Sequence, residues 1–175
     1  MAKGSEWERN ICKFLSKWIQ GTEKPYIFWR GHGSGGMFTT SDAVGEAFSG
    51  DVYSVRKEGY FFTDRFVIEA KNGYKSASFD KHFKYNKSDP LKEFWTQVSN
   101  DSKKSDKMPM LIYKKKGLPT PWLGINPIVY DKLKIHLRGL RFMHVGWGME
   151  SLDDIWFFEM KEFFDSITPE IIKEL

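Results

Sequence analysis

The sequence predicts a single domain of α/β or α+β class, layered around a central β-sheet. Two observations carry that prediction. The spacing of apolar residues changes along the chain, giving the order helix, strand, strand, strand, helix, strand and a mixed tail. The length of 175 residues, with 41% hydrophobic and 17% aromatic content, suits one compact core and makes two independent domains a poor fit.

The first helix is predicted from Ser5 to Gln20, where Trp7, Ile11, Phe14, Leu15, Trp18 and Ile19 fall at helical spacing, with Ser5 as N-cap and Gly21 as stop. At 100° per residue Glu8 lies in line with Leu15 and Ile19, at the edge of the apolar stripe, so it is expected to look inward. Tyr26 to Trp29 forms a short strand candidate, followed by a glycine-crowded loop with Arg30-Gly31-His32-Gly33-Ser34-Gly35-Gly36 at its densest. Val52 to Val55 and Arg65 to Ala70, separated by Arg56-Lys57-Glu58-Gly59, are expected to pair as an antiparallel hairpin. Pro90 opens a helix over Leu91 to about Lys103, and Met108 to Tyr113 and Ile155 to Phe158 read as strands.

The bulk properties narrow the function classes. Lys and Arg outnumber Asp and Glu by 27 to 23, a net charge of +4 that suits a polyanionic partner. Cys12 is the single cysteine, which rules out an internal disulfide framework and a thiolate-based zinc site. The expectation is a reducing, cytoplasmic setting with Cys12 in the core. No apolar run approaches the roughly 20 residues needed to span a bilayer, and the polar start has no apolar signal segment behind it. The glycine-rich segment lacks the Gly-Lys-Ser/Thr ending of a P-loop, so no nucleotide cofactor is expected. His32, His82, His136 and His144 show no ligand spacing.

The chemistry converges on residues 51 to 71. Within Arg65-Phe66-Val67-Ile68-Glu69-Ala70-Lys71, strand alternation puts Glu69 and Lys71 on one face and Phe66, Ile68 and Ala70 on the other. The expected hairpin would bring Asp51 to Glu69. Two convergent carboxylates, with the Ala70 carbonyl as a third donor, make a hard-oxygen site suited to Mg²⁺ or Mn²⁺. Phosphodiester hydrolysis uses such a site, because the cation stabilises charge and acidifies water while a neighbouring lysine, here Lys71, orients that water or steadies the developing charge. The Glu-x-Lys pattern alone is weak, since Glu159-Met160-Lys161 and Asp101-Ser102-Lys103 resemble it. The acids before the former, Asp153 and Asp154, are too close to sit on a separate returning strand, and the latter lies at the polar end of a helix. On the residues alone, a metal site and a plain ion pair at a strand end both stand.

The ordered set Gly4-x-x-x-Glu8-Arg9 on a first helix, Arg30 and Ser34-Gly35 in a loop, Gly50-Asp51, Ile68-Glu69-Ala70-Lys71, and Gln97 on a later helix resembles the PD-(D/E)XK nucleases. Among them it looks most like archaeal-type and phage-type Holliday junction resolvases, over about residues 4–114, with the remainder a mixed C-terminal extension. The resemblance implies a restriction-endonuclease-like central mixed β-sheet flanked by helices, and a Mg²⁺-dependent DNA endonuclease in which Mn²⁺ can substitute. It implies Asp51 and Glu69 as metal ligands, Lys71 as the catalytic lysine, Glu8 as support for the metal or its water, and Ser34 as a serine near the scissile phosphate. Gln97 matches a glutamine found in several branches.

The same resemblance implies a homodimer acting on branched DNA in recombination or repair, in the host cytoplasm if the source is viral. Gly50 stands where the name-giving proline would be. The loop from Arg30 to Asp51 is longer than in compact resolvases, which bears on the substrate more than on the chemistry. Two alternatives stand beside this reading: a sequence-specific restriction or repair endonuclease on the same fold, and a catalytically silent DNA-binding module. Arg30 and Ser34, with Lys75, Lys81 and Lys84 from the basic and aromatic stretch after Lys71, are the expected DNA contacts, against the plainer reading of solvated loops. Trp95, Trp147 and Trp156 are expected in the core.

Overall fold

The computed structural model describes residues 3–31, 50–74, 90–146 and 154–175, Lys3 by its backbone alone. The N-terminal helix α1 (Lys3–Gln20) buries Trp7, Ile11, Cys12 and Leu15, the stripe that i, i+4 spacing dictates. It begins two residues before Ser5, which therefore sits in the first turn and is not the N-cap. Gly21 stops it, adopting a φ of 75° while donating its N–H to the Lys17 carbonyl at 2.7 Å.

Strands β1 (Phe28–Arg30) and β2 (Val52–Ser54) form a two-stranded antiparallel ribbon with Trp29 opposite Tyr53. A 3₁₀ turn (Lys57–Gly59) and helix α2 (Tyr60–Thr63) follow, then strand β3 (Phe66–Asn72). The hairpin expected between Val52–Val55 and Arg65–Ala70 does not form. β3 pairs in parallel with β4 (Met108–Lys114), setting Glu69 opposite Leu111 and Asn72 opposite Lys114. The cause is Phe62, fully buried and in edge or tilted contact with Trp18, Phe28 and Phe66. Burying such a ring is worth about 1.5–3 kcal/mol, and it folds the connection into a helix where a tight return was expected.

Helix α3 (Pro90–Ser105) precedes β4 and lies against both parallel strands, as a crossover between parallel strands does. It extends one residue before and two beyond the expected span. Strand β5 (Trp122–Ile125), helix α4 (Pro127–Leu133), strands β6 (Phe142–Val145) and β7 (Ile155–Glu159), and helices α5 (Met160–Ser166) and α6 (Pro169–Lys173) complete the described chain. The sheet runs β3-β4-β5-β7-β6, with every pairing after β3-β4 antiparallel. This is the mixed sheet flanked by helices that the sequence predicts.

Each face of the sheet has its own core. Phe66, Ile68 and Ala70 join the cluster built on α1, while Val67 joins Leu91, Phe94, Trp95 and Val98 of α3 on the other side. The alternation read from β3 therefore holds. Glu159 ends β7 and Met160 opens α5, so Glu159 and Lys161 do not share a strand face. Asp101 pairs with Lys104 within α3. Cys12 and Trp95 are core residues, whereas Trp156 is half-buried and stacked on Tyr130 at 3.9 Å between ring centroids. Ser34, Lys75, Lys81, Lys84 and Trp147 lie outside the described residues. Among the described residues no helix is long and apolar enough to cross a membrane.

Candidate active site

Asp51 reaches its position through the turn at Gly50 and the backbone hydrogen bonds on both sides of it. Gly50 has a φ of 93°, and a Cβ there would stand 2.7 Å from the Ile68 carbonyl oxygen, so only glycine fits without strain. That close approach lets the Asp51 N–H donate to Ile68 O at 2.7 Å, while the Asp51 carbonyl accepts from Gly31 N–H at 2.8 Å. Thus the ribbon, not a hairpin arm, delivers Asp51 to the edge of β3. There its Oδ2 accepts the Ala70 N–H at 2.8 Å. A strand residue's N–H and C=O leave the backbone on the same side, so the Ala70 carbonyl opens toward that edge as well.

Glu69, only 2% exposed, projects from the α3 face of β3. Its Oε1 accepts the Gln97 side-chain amide at 3.0 Å and pairs with the Lys71 ammonium. Lys71 also lies 5.6 Å from the centroid of the Phe94 ring. On the other side of the sheet end Glu8 faces Arg30, with Glu8 Oε2 3.9 Å from Arg30 Nη1. The structure thereby brings together Glu8, Arg30, Asp51, Glu69, Ala70, Lys71 and Gln97.

Burial dominates the electrostatics of the three carboxyls. Burial raises the Asp51 carboxyl above its ordinary range, opposed by the Ala70 N–H, the Lys71 charge and a hydrogen bond with the Glu69 carboxyl. Burial, then the Asp51 charge, push Glu69 up to about 7 despite Lys71. Glu8 is raised by burial and by Asp51, with Arg30 and Lys71 pulling the other way. For Lys71 burial acts to lower the pKa, but its hydrogen bond to Glu69 and the charges of Glu69 and Asp51 outweigh it and hold the ammonium above its usual value. Carboxyls crowded this closely share protons or gather a cation.

That donor set fits a hard divalent cation: two convergent carboxylates, both reluctant to ionise together, and a backbone carbonyl beside them. Among the described residues no three His, Cys, Asp or Glu side chains form a metal-binding group. Glu8 therefore stands beside the carboxylate pair and does not complete a three-carboxylate cluster.

One neighbour was missed in the sequence. Lys114, opposite Asn72 in register, carries its ammonium 5.8 Å from the Trp7 ring centroid, one residue from Glu8. The visible signal was the run Lys114-Lys115-Lys116 closing a strand, but the parallel β3-β4 pairing that brings it to this end leaves no mark in local spacing.

A family model described as "Phage putative PDDEXK endonuclease" matches residues 1–174. Comparisons with curated proteins and with solved structures give no match. With that match spanning nearly the whole length, and a mixed α/β sheet that gathers Asp51 beside Glu69 and Lys71 at the edge of β3, the chain belongs to the phage PDDEXK endonuclease family.

Proposed function

We propose that this chain hydrolyses DNA phosphodiester bonds in a divalent-metal-dependent reaction at Asp51, Glu69 and Lys71, with Mg²⁺ as the working ion and Mn²⁺ as a substitute. The observation that carries the reading is the convergence of the Asp51 and Glu69 carboxyls at the edge of β3, with Lys71 bound to Glu69. Asp51, Glu69 and the Ala70 carbonyl are the groups that would hold the cation. Bound there, it would supply Lewis acidity toward the phosphate and a more acidic water.

The protein's own residues do the rest. Lys71 keeps its proton and offers a fixed positive charge where negative charge builds on the phosphate. Gln97 clamps the Glu69 carboxylate from α3, and the Ala70 N–H does the same for Asp51, so neither must reorganise during reaction. Glu8, tied to Arg30, supports the pair from α1. The finer reading is a homodimeric, structure-selective enzyme acting on branched DNA, which rests on the resolvase-like order of Glu8, Ser34, Asp51, Glu69, Lys71 and Gln97.

The test is incubation with Mg²⁺, Mn²⁺, Ca²⁺ or EDTA and a panel of four-way, flap, single-stranded and linear duplex DNAs. Cleavage is expected with Mg²⁺ and Mn²⁺ and absent with Ca²⁺ or EDTA. Asp51→Asn and Glu69→Gln, which keep shape but remove ligand charge, are expected to lose at least about 100-fold in rate, in line with the several kcal/mol that a metal's charge stabilisation supplies. Normal cleavage by both variants would overturn the assignment.

A further inference from the structure

We infer that the end of β4 and the connection that follows it, Lys114-Lys115-Lys116, form a phosphate-binding track that carries the DNA backbone away from the cleavage site; this rests on the nuclease reading above. The sheet register places it. Lys71 and Asn72 at the end of β3 stand opposite Tyr113 and Lys114 on β4, and Tyr113 stands opposite Trp122 at the start of β5. The Gly73 N–H donates to the Lys114 carbonyl at 3.1 Å, tying the exit of β3 to the base of the lysine run. The run therefore leaves the sheet at the same end as Lys71, one strand over, a step of about 4.8 Å.

The cations are spread over that end. Lys71 points to the α3 side, where Phe94 lies beneath it, and Lys114 to the α1 side, over Trp7. Lys115 is half-buried, and Lys116 is exposed at the turn with Gly117 and Leu118. Gly117 has a φ of 87° with open space around its Cα, so the connection turns sharply while leaving room beside the lysines. Carboxylates crowd Lys71 on one side of this end, and the lysine run supplies the positive charge on the other. A polyanion held with its reacting phosphate at Lys71 would meet Lys115 and Lys116 within roughly one to three nucleotides, at about 3.4 Å of rise each. Lysines on a phosphate chain add affinity without reading bases.

The experiment measures binding of a fluorescein-labelled linear duplex to the full chain by anisotropy in EDTA over a salt series, alongside cleavage of the same duplex and of a four-way junction with Mg²⁺. Three proteins are compared: the unaltered chain, Lys115→Gln/Lys116→Gln, and Lys103→Gln/Lys104→Gln. The last removes the same charge at the far end of α3, by the start of β4. Weakening of about tenfold in the first pair, with a salt slope flatter by about 1–2, and near-unaltered binding in the second, is the expected result. Equal weakening in both pairs, or none in either, overturns the track while leaving the nuclease reading intact. An unaltered chain that binds duplex but cuts no DNA with Mg²⁺ overturns the nuclease reading; one that binds no duplex overturns the track.

Discussion

Gln97 and Lys71 reach the same oxygen of Glu69 from different elements, one across from α3 and one from two residues along β3. The second approach was legible in the sequence, because period-two alternation fixes it. The first was not, since nothing local tells which face of α3 meets β3, and Gln97 entered only through an ordered resemblance. Its effect is that of a positioning residue: Gln97→Ala is expected to cost about 10–100-fold in activity, as loss of a support to a ligating carboxylate does. A rise in the Mg²⁺ concentration needed for half-maximal rate, read alongside kcat, checks it. Cys12 offers a test of burial beneath the site. Burial first, then the Glu8 and Asp51 charges, push its thiol up to about 12. An acid whose pKa is raised on folding stays neutral until the pH nears the folded value, so the native thiol should resist iodoacetamide at pH 8–9. Rapid alkylation should appear only in denaturant, with mass spectrometry as the readout.

At the scale of elements, alternation and amphipathic spacing located α1, β3, α3 and β4 closely, because each buries a stripe on a known period. The partner of β3 was misread because pairing depends on long-range packing of Phe62 and on the α3 crossover, neither of which shows in the strand itself. Asp51 still reaches the Ala70 N–H because a single turn at Gly50 does the work assigned to the hairpin. That turn can be tested. Gly50→Ala forces a side chain into positive φ against the Ile68 carbonyl, a strain of about 1–3 kcal/mol. At about 2–4 °C per kcal/mol for a chain of this size, Tm should fall by several degrees. Cleavage should fall further than stability alone accounts for, because the same strain displaces Asp51. An unchanged Tm with full activity would show that the turn is not needed. The glycine also explains the missing proline, since proline holds φ near −65° and cannot adopt 93°.

For the whole molecule, the net charge of +4 coexists with carboxylates concentrated at the site and lysines spread around the same end of the sheet. Such a surface binds polyanions mainly through counterion release, so affinity should fall steeply with salt, by a slope of about 0.9 per phosphate contact on duplex DNA. Paired cuts across a four-way junction need two active sites related by a two-fold axis, so junction selectivity and dimerisation stand or fall together. The expected outcome is a dimer by light scattering and faster cleavage of a four-way junction than of a linear duplex of the same sequence. The candidate site lies at β3, the edge of the sheet opposite β6. A monomer that cuts linear duplex at a fixed sequence as fast as a junction would instead favour the sequence-specific endonuclease on this fold, with the chemistry at Asp51, Glu69 and Lys71 unchanged.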